Sequence, residues 1–275
     1  MVVVRIPTSA AASPLPVPRG GGGGIVRALK DAIRSIETGA GAGGDHGAIP
    51  FGVPAIDQAL GGGLARAAFH EIAAARESAT AAASGFALTL AAHATGARAV
   101  LWVAEDMGLV ENGAPYGPGL DDVDLAPEQL VTVVAAKPRD VLWAMEEALR
   151  CRAVGAVIGE IRSPDRGVDL VASRRLSLAA GRRGTCAVLV RSHPGTHASA
   201  AATRWLVAAA PSAGGTGPGP PRFCVQLTRN RRGPIGSWML EWNRVERRFD
   251  LAPSLPQPVA DAACDRPHRA AAAGA

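Results

Sequence analysis

The stretch FHEIAAARESATAAASGFALTLAAHATGARAVLWVAED, Phe69 to Asp106, reads as a strand, a turn, a helix and a second strand. In a nucleotide-binding protein of this layout the turn after the first strand carries glycines, a lysine and a hydroxyl residue. Backbone N–H groups, an ammonium and a magnesium ligand are what phosphates require there. Here the turn is nearly all alanine. Other residue types that do chemistry are just as sparse. His193 and His197 in RSHPGTH stand four apart, a metal-ligand spacing on a helix, but Pro194 and Gly195 break that helix. Cys151, Cys186, Cys224 and Cys264 are widely separated, which argues against structural zinc or a disulfide framework and for a reducing cytoplasm. Ser84 lies in ASG and not in a G-x-S-x-G elbow, so no hydrolase triad is expected. His46, His70, His93 and His268 have no companions in the sequence.

The elements that would position such residues fit one α/β domain with tails, at 275 residues and 28.0 kDa. Residues 1–24, rich in Pro and Gly, are expected to be disordered. Residues 25–48 hold a short amphipathic helix and a glycine-rich link. Ile25, Leu29 and Ile33, followed by Ile36, share one helix face that either packs on the main body or docks a partner. The core spans 49–251, and 252–275 is a second tail expected to be disordered. Within the core, AFHEIAA, ARAVLWVA, LVTVVA, VGAVIGEI and TCAVLVRS read as strands. Thr80 to Thr95, Arg139 to Arg150 and Val168 to Ala180 read as helices between them. Continuous apolar strands alternating with helices predict a mainly parallel sheet covered on both faces. No apolar run approaches a membrane span, so a cytoplasmic protein with no membrane partner is expected.

Charge adds a second theme. The formal net charge is +5, and the only lysines are Lys30 and Lys137, so the positive charge is almost all arginine, whose planar fork suits phosphate and carboxylate partners. Near the end, Phe223, Val225 and Leu227 alternate, a basic Gly-Pro turn follows, and Trp238, Leu240 and Trp242 alternate again, which predicts a β-hairpin. Arg229, Arg231 and Arg232 fall at its tip, with Trp238, Trp242 and Arg244 beyond. These are candidate contacts to DNA or a protein partner, or else charges that keep an edge from pairing with other chains. Arg174 and Arg175 read as the solvated face of a helix.

The stretch IPFGVPAIDQALGGGLARAAFHEIAA resembles the segment leading into the core of RecA recombinases, through Gly52, Asp57, Leu60 and Gly61 to Gly63 ahead of His70, Glu71 and Ile72. The resemblance continues through RAVLWVAED, LVTVVAAKPRDVLWAMEEALRCRAVGAVIGEI and RRGTCAVLVRS. It implies a RecA-like α/β core of the P-loop NTPase type, a mainly parallel sheet flanked by helices, with the C-terminal hairpin appended. On that frame a G-x-x-x-x-G-K-[ST] loop would run from Ala75 to Ala82. Ala75 and Thr80 replace the glycines, Ala81 the lysine and Ala82 the hydroxyl residue, so no nucleotide cofactor is expected. The N-terminus of the helix from Thr80 keeps only a generic attraction for anions. Glu105 matches the glutamate that positions water in RecA-like ATPases, and AVIGE puts Gly159 and Glu160 where an aspartate would help hold magnesium. Without a phosphate loop, both glutamates are expected to end strands and face solvent, Glu105 as a vestigial acid. The RSHPGTH loop falls where RecA-like proteins place DNA-contacting loops.

With its eroded phosphate loop, N-terminal helix and arginine-rich hairpin, the chain is similar to the ImuA family of bacterial SOS mutagenesis proteins. That resemblance implies a non-catalytic accessory role in damage-induced, error-prone translesion synthesis. The implied partners are ImuB, a catalytically defective Y-family polymerase homologue, and an error-prone replicative-type polymerase, with RecA recombinase and DNA as further ones. It implies a location at the nucleoid when DNA is damaged. The alternatives are a RecA-class ATPase with an unorthodox site, in which Arg76 is the only cation of the turn, and a binder that joins or caps a recombinase filament.

Overall fold

The computed structural model describes residues 2–5, 47–162, 168–195, 197–212 and 219–252. The expected helix with Ile25, Leu29 and Ile33, the stretch 6–24 and the tail from 253 lie outside the described residues. All five expected core strands form: β4 (Phe69–Ala74), β5 (Ala99–Glu105), β6 (Leu130–Ala135), β7 (Val154–Ile161) and β8 (Cys186–Arg191). Every residue of β4, β7 and β8 is buried, which is why those runs show no apolar–polar alternation. They belong to one ten-stranded sheet in the order β1-β6-β5-β7-β8-β4-β9-β10-β11-β12, parallel from β1 to β9 and antiparallel after it.

Two strands depart from expectation. β1 (Val2–Arg5), inside the stretch expected to be disordered, adds in parallel to the free edge of β6, pairing Val2 with Val131 and Arg5 with Val134. A β-branched VVV run beside an unpaired apolar strand satisfies both backbones. β9 (Thr203–Ala210) joins β4 to the hairpin strands β10 (Arg222–Asn230) and β11 (Gly236–Asn243), and TRWLVAAA gives little local sign of it. The hairpin has the expected pairing, with Val225 opposite Trp238, and β12 (Arg248–Leu251) closes that side.

Before β4, the short strands β2 (Ala48–Ile49) and β3 (Leu64–Ala65) pair around α1 (Pro54–Ala59), whose Asp57 carboxylate accepts from Phe51 N at 2.7 Å and Gly52 N at 3.1 Å. The chain reverses after α1 through Gly61, Gly62 and Gly63, all with positive φ. A Cβ on Gly63 would stand 2.5 Å from Ile49 O, so only glycine fits.

The sheet carries a core on each face. One is covered by α2 (Thr80–Thr95), an alanine-rich helix buried on nearly every side, and holds an aromatic cluster of Phe51, Phe86, Trp205, Phe223, Trp242 and Phe249. The other is covered by α5 (Pro138–Ala148) and α6 (Leu170–Arg183). Between β5 and β6 run two short helices, α3 (Asp106–Asn112) and α4 (Gly117–Asp121). No described helix is long and apolar enough to cross a membrane.

Candidate functional site

The turn between β4 and α2 has no phosphate cradle. Ala75 N donates to Val207 O at 2.8 Å, so the first amide of the turn extends the pairing with β9. Arg76 is extended, and a 3-10 turn, Glu77–Ala79, leads straight into α2. No residue from Ala75 to Ala82 has positive φ, the conformation that glycines supply when N–H groups wrap an anion. The Thr80 hydroxyl is spent on Glu77 O at 2.7 Å, and Arg76 Nε donates to Ser78 Oγ at 3.1 Å, folding that cation onto its own turn.

Glu105 and Glu160, expected to face solvent, are instead buried at 3% and 5% exposure. Beside them stands Arg162, which sequence reasoning did not single out. It follows β7, and its N donates to Glu105 Oε2 at 2.9 Å. Its guanidinium, 12% exposed, reaches Glu111 Oε2 of α3 at 2.7 Å and Glu77 Oε1 at 3.7 Å. A Cβ on Gly108 would stand 3.3 Å from Arg162 Cδ and 4.0 Å from Glu160 Oε1, so α3 lies close over both side chains. Ser192 Oγ donates to Arg162 O at 3.0 Å. The guanidinium thus reaches the turn after β4 and the helix after β5, while the backbone of Arg162 joins the ends of β5, β7 and β8, the place where a nucleotide-binding relative would gather phosphates and metal. Among the described residues no three His, Cys, Asp or Glu side chains form a metal-holding group.

The hairpin residues divide. Trp242 is not available to a partner: it is 2% exposed, donates from Nε1 to Asp122 O at 2.8 Å and packs edge-on to Phe249. Its cross-strand neighbour Phe249 of β12 and the His93 ring of α2 flank it, which alternation within the hairpin alone could not reveal. Trp238 is half-buried, 6.2 Å from the Trp205 ring. Arg244 lies at the opposite end of β11 from the tip, bound to Asp122 at 3.2 Å. At the tip, Arg232 is exposed, while Arg229 Nη1 donates to Ser199 O at 2.7 Å. Arg231 has its pKa lowered by partial burial and then by Arg229 and Arg174.

Arg229 belongs to a network under the RSHPGTH loop. Glu71, buried in β4, accepts from Ser199 Oγ at 2.6 Å and Arg204 Nε at 2.7 Å, and Arg204 Nη2 donates to His197 O at 2.7 Å. Arg191 lies beneath this loop, where burial is the largest effect lowering its pKa. His193 and His197 are exposed, and His193 meets Ser192 Oγ at 2.7 Å. On the other face, His70 is fully buried between two strands. Its Nε2 contacts Ala65 O at 2.9 Å, a carbonyl that can only accept, so Nε2 carries the proton and Nδ1 accepts from Thr203 Oγ1 at 2.8 Å. A glutamate and a histidine inside an otherwise apolar strand were the available signals for both networks.

No family model matches the chain. In fold it is similar to the RadB recombinase structure, with a TM-score of 0.51 and 15% identity over 74% of this chain and 100% of that one. That likeness, with the mostly parallel sheet and flanking helices, makes the fold RecA-like. In sequence the chain is similar to Protein ImuA of two strains of Caulobacter vibrioides, 34% identical over 211 residues, which span 70% of this chain and 82% of each relative. With that identity over most of both chains, and a RecA-like core beneath it, the protein belongs to the ImuA family.

Proposed function

We propose that this chain is a non-catalytic accessory protein of damage-induced, error-prone translesion synthesis. In this reading it is an adaptor for an ImuB-like Y-family polymerase homologue and an error-prone replicative-type polymerase. Kinship with Protein ImuA supports the setting. The observation that carries the non-catalytic part is Arg162, held between Glu77 and Glu111 beside a turn that lacks the glycines, lysine and hydroxyl of a phosphate loop. ATP brings several negative charges. Here they would meet Glu77, Glu111, Glu105 and Glu160, with one cation already engaged. Each missing charge-assisted hydrogen bond costs about 1.5–3 kcal/mol, and several are missing together.

Isothermal titration with MgATP is expected to give no saturable heat, and the protein no turnover. Co-purification of the tagged chain from cells with damaged DNA is expected to recover the two polymerase-type partners, and Glu105→Gln is expected to leave recovery unchanged. A one-to-one, magnesium-dependent ATP complex with turnover abolished by Glu105→Gln would promote the RecA-class ATPase alternative. Recovery of neither partner would remove the adaptor reading.

A further inference from the structure

Arg98, Arg152, Arg182 and Arg183 lie far apart in sequence, yet together with Thr185 they line one open cavity of about 290 Å³. The fold brings them there because β5, β7 and β8 are neighbours in parallel. Arg98 immediately precedes β5, Arg152 precedes β7, Arg182 and Arg183 end α6, and Thr185 precedes β8. This is the end of the sheet opposite to the Arg162 cluster.

Among the described residues no carboxylate lines the cavity. Among the described residues none of the four guanidiniums has an ion-pair partner, and their one hydrogen bond is Arg98 Nη1 to Val154 O at 3.5 Å. Ten other described arginines provide the contrast: Arg5, Arg139, Arg150, Arg162, Arg175, Arg204, Arg222, Arg244, Arg247 and Arg248 each meet a carboxylate. A second observation concerns Thr185, which also lines the cavity. Thr185 is 1% exposed, and its Oγ1 is buried with no hydrogen-bond partner. A buried hydroxyl left unpaired costs about 1–3 kcal/mol, which a ligand oxygen would recover. Proximity to the carbonyl end of α6 accounts for Arg182 and Arg183, whose charges complement the helix dipole. It accounts neither for Arg98 and Arg152 nor for the orphan hydroxyl.

We propose that this cavity is a phosphate-binding site that grips the backbone of a nucleic acid. Guanidinium forks match phosphate oxygens, and a phosphodiester chain brings a full negative charge at every unit to a rim of four cations with no carboxylate between them. Among the described residues no aromatic side chain lines the cavity, so its contacts are to the backbone and independent of sequence. The site is independent of the adaptor reading and of the hairpin tip.

Fluorescence anisotropy with a labelled oligothymidylate tests this on the full-length protein. Wild type is expected to bind, more weakly as salt rises. Arg152→Gln with Arg183→Gln, both exposed and so compatible with folding, is expected to weaken binding about tenfold or more. The same pair should flatten the dependence of log K on log salt by about 1.4, or about 0.7 per lost contact. Thr185→Val is expected to weaken binding while raising Tm, since the orphan hydroxyl is gone, and Arg139→Gln is expected to change nothing. No binding by wild type at low salt, or an unchanged affinity and salt slope in the double variant, overturns the proposal. Displacement of the probe by polyglutamate as readily as by unlabelled oligonucleotide would overturn it in favour of an acidic protein partner.

Discussion

Replacing Arg162 by alanine isolates the work of one guanidinium, because alanine keeps the backbone N–H that donates to Glu105 Oε2. The side chain is 12% exposed, so losing its aliphatic stem forfeits about 0.8 kcal/mol per buried methylene, or roughly 2 kcal/mol. The 2.7 Å pair with Glu111 is half open to water on the glutamate side and is worth about 1 kcal/mol. The 3.7 Å pair with Glu77, whose side chain is 75% exposed, is worth less. Against these stands Nη1, buried with no hydrogen-bond partner, whose removal returns about 1–3 kcal/mol. The balance is a loss of about 1–2 kcal/mol, or a Tm lower by roughly 2–8 °C for a domain of this size. Urea denaturation of Arg162→Ala, Glu111→Gln and the double variant should give a coupling energy near 1 kcal/mol, and the same cycle with Glu77→Gln about half that or less. ATP binding should not appear in Arg162→Ala, since the turn still lacks its donors. A variant as stable as wild type, or zero coupling to Glu111, would refute the view that this arginine holds the three segments together.

Three further outcomes follow from buried contacts. His70 has its pKa lowered to about 4, chiefly by burial, so between about 6.5 and 4 the unfolded chain takes up a proton that the folded one refuses. Stability is therefore complete above pH 6.5 and falls by up to about 3 kcal/mol as pH drops through 4, and urea titrations of wild type and His70→Gln should differ in that slope. Gly63→Ala places a methyl 2.5 Å from Ile49 O at a φ of +125°, so a loss of at least about 2 kcal/mol is expected in thermal unfolding. Trp242→Ala should cost about 3–5 kcal/mol as a core truncation, while the exposed Arg232→Ala stays within about 0.5 kcal/mol; equal effects would contradict the burial described for Trp242.

Local pattern carried the reading of the sheet. The strands from β4 to β8 are continuous apolar runs of strand length between helical stretches, and the hairpin alternates around a Gly-Pro turn, so period and turn chemistry suffice to read them. The loss of the phosphate loop was equally legible, since it depends on which residues stand in one short turn and the chain has alanine where donors are needed. Strand β9 escaped because TRWLVAAA has neither clear alternation nor turn residues close on both sides, and β1 because three valines at a terminus pair only when a particular edge is free.

What the sequence determined by itself is therefore the layered α/β architecture and the emptiness of the turn after β4. Only the tertiary structure decided which charges meet. Glu105 looks like a solvated strand end until the order β5-β7-β8 brings Arg162 N to it and the Arg162 guanidinium to Glu111 and Glu77. Trp242 looks exposed until Phe249 of β12 and His93 of α2 flank it. Arg98, Arg152, Arg182 and Arg183 look like scattered surface charges until three parallel strands start side by side. Periodicity reports which way a side chain faces within its own element, but the energy of a charge depends on partners a few ångströms away that strand order, and not sequence distance, brings near.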